Sequence, residues 1–212
     1  MPGPGHMKGM ESPPLELEAA PPSFEETAEY APLLYRLAAR LVDLMVHFGA
    51  AAYGAFCLAF VAAVAAPDRV DALLAGFGEN TFFGVTLGVL GSMLYQTCME
   101  GIHGSSLGKR LFGLTVLSEE GGLCSLRQAW KRSFAFLLDS FFFGLIGYSN
   151  ARNSPRKQRV GDEWADTVVV RTRSLPAALR RSGKELFAAF AGGFACDVVA
   201  VALGQTLGFL VG

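Results

Sequence analysis

Charged side chains are scarce in this chain of 212 residues. Asp, Glu, Lys and Arg supply 17% of the sequence, and 51% of the residues are hydrophobic. An average soluble domain has about 25% charged residues. The mean hydropathy is +0.35, which is high for a soluble protein. The composition therefore excludes an ordinary soluble domain and predicts a membrane protein.

Paired cysteines and clustered histidines are also missing. The four cysteines, Cys57, Cys98, Cys124 and Cys196, stand far apart without a C-x-x-C pattern, and the chain has only three histidines. This spacing indicates neither a structural metal site nor a disulfide framework. We therefore expect no metal and no cofactor.

A phosphate-binding loop is absent in spite of the suggestive stretch HGSSLGKR. The Walker A pattern requires Gly five positions before Gly108 and Ser or Thr after Lys109. The sequence has His103 and Arg110 at those two positions. No Ser-His-Asp set is suggested by the spacing either, so we expect no enzyme, and we expect no nucleic acid partner.

Four apolar runs cover much of the chain. They span residues 37–66, 81–99, 133–150 and 186–211. A transmembrane helix needs about 20 residues, and three of the runs meet that length, whereas the run at 133–150 is short and contains Asp139, Gly144 and Gly147. The sequence predicts an all-α membrane protein with three or four transmembrane helices, one of which either spans or re-enters.

The first 30 residues have the composition of a disordered acidic tail, with six Glu, one Lys and no apolar run. They also lack the basic start and the apolar core of a cleaved signal peptide. The expected organisation is this tail over residues 1–30, a transmembrane domain over 31–172, and an extension with an additional transmembrane helix over 173–212.

The basic residues bear on how the short run is placed. Residues 100–131 contain four Lys and Arg, and residues 152–185 contain nine, whereas the link between the first two runs has only Arg69. Cytoplasmic loops accumulate Lys and Arg, so both polar segments are expected in the cytoplasm. A crossing by residues 133–150 would place them on opposite sides. A re-entrant element is therefore favoured, and a true crossing stays the alternative.

Polar residues within the first run share one helical face. In RLAARLVDLMVHFG, residues 36–49, the side chains of Arg36, Arg40, Asp43 and His47 fall on a stripe roughly 60° wide. A stripe of this kind is expected to face protein and not lipid.

A short repeat links this stripe to the third run. RLAARLVD at 36–43 and RSFAFLLD at 132–139 each place an Arg seven residues before an Asp. Seven residues return a helix to within about 20° of the same face and about 10 Å deeper. Arg36 is therefore expected to stand over Asp43, and Arg132 over Asp139.

The polar segments carry local signals of their own. LFGLTVL and TVVVRT are β-branched runs bounded by Gly and charge, which is typical of short strands. If the two strands pair, both polar segments lie on one side of the membrane. SLRQ at 125–128 fits a capping box, which predicts that a helix begins near Leu126.

Three motifs together resemble the RDD family of bacterial integral membrane proteins. They are the Arg and Asp of the first run, GSSLGKRLFGLTVL at 104–117, and SPRKQRVGDEWADTVVV at 154–170. The family is named for an Arg and two Asp, which correspond to Arg36, Asp43 and Asp139. Its closing motif usually reads G/H-D-x-x-A-G-T, and here GDEWADT has Asp166 in the Gly position. The resemblance, over about residues 30–172, implies a multi-pass protein of the bacterial inner membrane.

The two polar motifs would then form a cytoplasmic surface. The residues that carry it are Gly108, Lys109, Arg110, Gly113, Arg159, Gly161, Asp162, Ala165 and Thr167.

Two functions are compatible with these residues. Some RDD proteins have been linked to sodium/proton exchange, so the first hypothesis is transport of H⁺ or a small monovalent cation; its candidate residues are Asp43, Asp139, Arg36, His47 and Asp197. The alternative is a non-transporting scaffold or assembly partner in which Arg36 and Arg132 form structural ion pairs with the acids. A carboxylate at the centre of a membrane helix costs around 3 kcal/mol on insertion scales, so either role would justify its presence.

Asp197 is the acid for which packing is the favoured interpretation. It shares a helical face with Gly193, Gly204 and Gly208, and GQTLG at 204–208 is a G-x-x-x-G motif. Small residues at this spacing let membrane helices approach closely. The sequence predicts a packing face that holds one hydrogen-bonded acid.

The expected partners follow from charge and size. The two polar segments hold 13 Lys and Arg, which suits anionic lipids at the cytoplasmic face at about 1 kcal/mol for each residue near the surface. Three or four helices cannot enclose a transport path alone, so we expect a homo-oligomer.

Overall fold

The structure of the protein, a computed structural model, describes residues 28–71, 81–140 and 145–211. Residues 1–27 of the predicted tail lie outside the described residues, as does the side chain of Asp139. In chain order the helices are α1 (Leu33–Ala65), α2 (Thr81–Cys98), α3 (Leu107–Leu111), α4 (Leu126–Ser140), α5 (Leu145–Asn153), α6 (Val160–Trp164) and α7 (Gly183–Val211), and the strands are β1 (Leu114–Ser118) and β2 (Thr167–Arg171).

Three helices are long and apolar enough to cross a membrane: α1, α2 with the π-helical turn Met99–His103 that continues it, and α7 with the residues just before it. Only 11% of the most apolar stretch of α1 is buried in the protein. Large apolar side chains such as Phe48, Phe56 and Phe60 point outward from α1. An apolar helix with so little protein cover is suited to lipid, which confirms the membrane protein predicted from composition.

The three long helices pack through small residues. A side chain at Gly204 of α7 would place its Cβ 2.9 Å from the backbone oxygen of Phe83 in α2. At Gly193 the Cβ would lie 3.2 Å from Tyr95, also in α2. The contact at Gly204 is too close for a side chain, and the one at Gly193 is tight, because the two helices approach backbone to backbone. The packing face predicted for α7 is confirmed.

In the third apolar run, residues 133–150, the structure describes α4 as far as Ser140 and α5 from Leu145, and residues 141–144 lie outside the described part. Gln128, in the first turn of α4, donates from Nε2 to the backbone oxygen of Asp166 over 3.3 Å. Asn150, near the end of α5, donates to the backbone oxygen of Gln158 over 3.1 Å, and Gln158 donates to that of Thr167 over 3.0 Å. Both described ends of the segment therefore lie close to the beginning of β2, and this placement favours a re-entrant element over a crossing.

The start of α4 follows the predicted capping box. The backbone N–H of Gln128 donates to Ser125 Oγ over 3.3 Å, and the backbone N–H of Ser125 donates to Gln128 Oε1 over 3.0 Å. Two amide groups that the helix cannot satisfy are thus paired reciprocally. The helix begins at Leu126, as the sequence predicts.

The two predicted strands form an antiparallel pair. Leu114 lies opposite Arg171, Val116 opposite Val169, and Ser118 opposite Thr167. Leu114, Val116 and Val169 are buried together with Ala39 of α1. We call residues 104–125 and 154–176 the polar cap. Because its two halves share this sheet, both polar segments lie at the same end of the helices.

Candidate functional site

The polar stripe of α1 points into the protein, where it meets charged residues from the polar cap and from α2 and α4. We call this group of eight side chains the charge cluster. Its members are Arg36, Arg40, Asp43, Glu100, Lys109, Arg132, Arg159 and Asp162.

Asp162 is a carboxylate on which three cations converge. It is fully buried in α6, forms an ion pair with Arg36, and has its Oδ1 2.8 Å from Arg132 Nη1. Arg159 lies farther away, at 3.6 Å. Burial opposes ionisation of Asp162, but the guanidinium groups of Arg132 and Arg36 outweigh it, so the pKa of Asp162 lies well below its ordinary value. Asp162 is therefore charged and joins α1, α4 and α6.

Glu100 is the second buried acid of the cluster, in the π-helical turn that follows α2. It forms an ion pair with Lys109, and it accepts a hydrogen bond of 2.9 Å from Arg132 Nε. Burial lowers the pKa of Lys109 to about 8 in spite of the attraction of Glu100. Sequence reasoning missed Glu100. The available signal was an isolated acid directly after the apolar run at 81–99.

Arg132 ties these two acids together. Its Nη1 donates to Thr167 Oγ1 over 2.7 Å, in addition to its contacts with Glu100 and Asp162. Burial alone would lower the pKa of Arg132, but the two carboxylates outweigh it and raise this pKa above its ordinary value. Removal of one partner from a dry ion pair can cost about 3 to 5 kcal/mol, so this centre fixes the cap to the helices.

Asp43 binds the polar cap and does not bind Arg36. Its Oδ2 accepts a 2.6 Å hydrogen bond from Ser106 Oγ, and its Oδ1 accepts a 2.8 Å bond from the backbone N–H of Gly108. Ser106 in turn accepts a hydrogen bond from the backbone N–H of Lys109 over 3.2 Å. Asp43 and Ser106 thus satisfy amide groups at the start of α3, where a negative charge is favourable.

The ion pair inferred for Arg36 from the Arg-over-Asp repeat is not that of the structure, and the pair inferred for Arg132 involves Asp139, whose side chain lies outside the described residues. Arg36 pairs with Asp162 and also donates to the backbone oxygen of Lys157 over 2.5 Å. Arg132 pairs with Glu100 and Asp162. The expected pair of Arg36 with Asp43 is wrong. A helical repeat shows which residues share a face of α1, but it does not show which side chains of the polar cap contact that face.

His47 and Asp197 form a second polar site, deeper between the long helices. His47 Nδ1 lies 3.0 Å from Asp197 Oδ1 and 2.9 Å from Oδ2. Asp197 is fully buried, and the side chain of His47 is 18% exposed. At Gly91 of α2, an added Cβ would lie 2.5 Å from Asp197 Oδ1. The acid predicted on the packing face is therefore hydrogen-bonded across α1 and α7.

The remaining motif residues shape the polar cap. Gly161 lets α6 pack closely against α4, since an added Cβ would lie 2.7 Å from the Cβ of Ala135. Ala165 is fully buried, and Arg110 is exposed. Gly113 has a φ of 62° in the turn after α3, and Asp166 has a φ of 53°. Glycine adopts this left-handed conformation most easily and Asp tolerates it, which explains why the usual motif has Gly where this chain has Asp166.

Metal ligands do not come together in the part of the chain that the structure describes. Among residues 28–71, 81–140 and 145–211, no group of three or more His, Cys, Asp or Glu side chains is placed to hold a metal ion.

The comparison with protein families identifies the chain. The model of the RDD family matches residues 30–166, which is more than half of the sequence. The chain belongs to the RDD family. The matched region contains the whole charge cluster, whereas α7 and Asp197 lie beyond it. A search of curated proteins and a search of solved structures gave no match.

Proposed function

We propose that this RDD protein carries protons across the bacterial inner membrane, in exchange for a small monovalent cation, and that His47 with Asp197 is the proton-binding pair. The observation behind the proposal is the contact of His47 Nδ1 with both carboxylate oxygens of a fully buried Asp197, at 3.0 and 2.9 Å. Ionisable residues inside a membrane helix are costly and typically mark proton or ion pathways.

The chemistry of the pair suits proton exchange. Histidine is the side chain whose ordinary pKa lies nearest neutral pH, and a neighbouring carboxylate can accept the proton that histidine gives up. The side chain of His47 is 18% exposed, so a proton can reach it from outside the contact between the helices. The side chain of Asp197 is not exposed. His47 would exchange the proton, and Asp197 would orient the ring and balance its charge.

Asp43 is assigned a different role in this proposal. Both of its carboxylate oxygens accept hydrogen bonds, from Ser106 and from Gly108. A carboxylate that already accepts a hydrogen bond on each oxygen has little freedom to release and rebind a cation. Among the candidate acids with described side chains, Asp197 is therefore preferred for transport.

A homo-oligomer completes the proposal. Three long helices, of which α1 presents mostly apolar side chains outward, do not surround a path by themselves. Association of identical chains through those faces would enclose one. Anionic lipids at the cytoplasmic face are the second proposed partner, because the polar segments are rich in Lys and Arg.

A non-transporting scaffold is the second candidate function, and the charge cluster favours it. Asp43, Glu100 and Asp162 each hold a part of the polar cap against the long helices. A cap fixed in this way would be a stable surface at the membrane for a partner protein. In that case the pair of His47 and Asp197 would only align α1 with α7.

Flux measurements in sealed proteoliposomes test the transport proposal. With a pH-sensitive dye inside, pulses of Na⁺, Li⁺ or K⁺ should drive proton movement through the wild type. His47→Gln and Asp197→Asn should abolish it, and Asp68→Asn, an exposed acid outside both sites, should not. Wild-type vesicles that give no cation-dependent proton flux would overturn transport and favour the scaffold.

A further inference from the structure

The charge cluster carries an unbalanced charge among its described side chains. Its basic members are Arg36, Arg40, Lys109, Arg132 and Arg159, and its acids are Asp43, Glu100 and Asp162. The formal excess is therefore two positive charges. Buried charge without a counter-charge is strongly unfavourable, so the cluster is suited to an additional anion.

Three of the cations have donor capacity left over. Two buried atoms, Arg132 Nη2 and Arg159 Nε, have no hydrogen-bond partner among the described residues. The side chain of Arg132 is only 2% exposed, so water does not readily supply that partner. Arg40 forms no salt bridge with a described acid, and its guanidinium carbon stands 3.9 Å from the ring centre of Phe136. Buried donors are normally satisfied, which points to a missing acceptor.

A cavity lies where these donors converge. It has a volume of about 50 Å³ and is lined by all five cations of the cluster together with two of its three acids, Asp43 and Glu100. A single water needs at least about 10–15 Å³ of such space, so the cavity has room for a small oxyanion. Arginine donors match phosphate oxygens in geometry as well as in charge.

A groove on the outside of the protein adjoins this cavity. Its volume is about 160 Å³. The groove and the cavity share four lining residues: Arg36, Arg40, Phe136 and Arg159. The other walls of the groove are Leu33, Leu37, Gly147 and Tyr148. The groove thus combines an apolar surface with arginines at one wall.

The position of the groove matches the level of lipid headgroups. Leu33 and Leu37 lie in the first two turns of α1, next to the polar cap, and Leu37 is 59% exposed. At the end of a membrane helix, side chains at this depth meet the phosphate and glycerol region of the bilayer.

We propose that the cavity binds the phosphate of an anionic phospholipid whose glycerol backbone and upper acyl chain occupy the groove between α1, α4 and α5. Arg40 and Arg159 contact the phosphate from the groove side, and Arg132 donates its remaining N–H from within. The lipid neutralises the cluster and covers the apolar wall at once. Free inorganic phosphate shares the charge but leaves the groove open. This site does not depend on whether the protein transports protons.

Lipid-dependent thermal stability of the delipidated full-length protein in detergent tests the site. Phosphatidylglycerol should raise the unfolding temperature in a saturable manner, and phosphatidylcholine or inorganic phosphate should not. Arg40→Gln and Arg159→Gln should each weaken the apparent affinity for phosphatidylglycerol by at least about tenfold, because each removes a charged hydrogen bond to phosphate. Arg110→Gln removes an exposed charge from the same cap and should leave the affinity unchanged.

The excess of positive charge also predicts how a variant behaves without lipid, which separates an effect on lipid binding from an effect on folding. Without lipid, Arg40→Gln should unfold at the wild-type temperature or above it, since it relieves repulsion among the cations. An unchanged response to phosphatidylglycerol in both cavity variants would overturn the proposal, and so would equal stabilisation by inorganic phosphate. If a variant does not fold, native mass spectrometry of the wild type decides: retention of phosphatidylglycerol over phosphatidylcholine supports the site, and equal retention overturns it.

Discussion

At the residue scale, the acids of this protein divide into two kinds. Asp43 and Asp162 join the polar cap to the helices: Asp43 of α1 accepts a hydrogen bond from the cap, and Asp162 of the cap pairs with Arg36 of α1. Asp197 lies among the long helices with His47 as its partner. Asp43 and Asp197 look alike in the sequence as acids within apolar runs, whereas Asp162 stands in a polar motif. The three acids differ in the residue that contacts each carboxylate. That partner is 63 residues away along the chain for Asp43, 126 for Asp162 and 150 for Asp197.

Asp43→Asn tests the structural role at this scale. The amide keeps one acceptor, and its N–H₂ faces one of the two native partners. Toward the Gly108 N–H this brings two donors together, and toward Ser106 Oγ it removes the acceptor of the serine hydroxyl. We expect a loss of about 1 to 3 kcal/mol in the free energy of unfolding, the usual cost of an unsatisfied buried group. Thermal unfolding in detergent measures it, with Asp68→Asn as the matched control.

Ser106→Ala completes a double-mutant cycle with Asp43→Asn. The two changes should cost less together than the sum of their separate effects, because they disrupt the same contact. Normal stability of Asp43→Asn combined with lost proton flux would contradict our assignment and restore Asp43 as the transport acid.

At the element scale, local sequence signals predicted the elements well. The Ser125–Gln128 capping box fixes the start of α4, and the β-branched runs give β1 and β2. These features depend on residues close together in sequence. The partner of Arg36 and the role of Glu100 could not be predicted. They depend on the packing of α6 and α3 against the long helices, which brings Asp162 to Arg36 and Lys109 to Glu100.

The approach of α3 to α1 yields a prediction for Gly108. A Cβ at this position would lie 2.0 Å from the backbone oxygen of Ala39, and backbone cannot move aside as a flexible side chain could. Gly108→Ala should therefore displace α3 and break its hydrogen bond to Asp43, at a cost of about 1 to 3 kcal/mol or more. Gly122→Ala, which meets no atom within 4 Å, is the control.

Thermal unfolding of the two glycine variants decides this point. The unfolding temperature of Gly108→Ala should fall well below that of Gly122→Ala. Equal temperatures would mean that α3 does not pack on α1 as described.

At the scale of the whole molecule, the charge cluster and the two-stranded sheet place both halves of the polar cap at one end of the helices. The number of Lys and Arg residues in the two polar segments predicted from the sequence that both lie on one side of the membrane, which favoured a re-entrant element over a crossing at residues 133–150. The sequence could not settle that return by itself, because 18 residues with internal glycines are close to the length of a short span. The contacts of α4 and α5 near the start of β2 favour the return.

Cysteine accessibility in intact cells tests this central claim most directly. In a background with all four native cysteines replaced, Glu120→Cys and Ala178→Cys report on the two polar segments, and Asp68→Cys reports on the opposite end of α1. All three positions are exposed in the protein. An impermeant thiol reagent should label Asp68→Cys in intact cells, and the other two only after the membrane is permeabilised. Labelling of Glu120→Cys and Ala178→Cys from opposite sides would contradict the account.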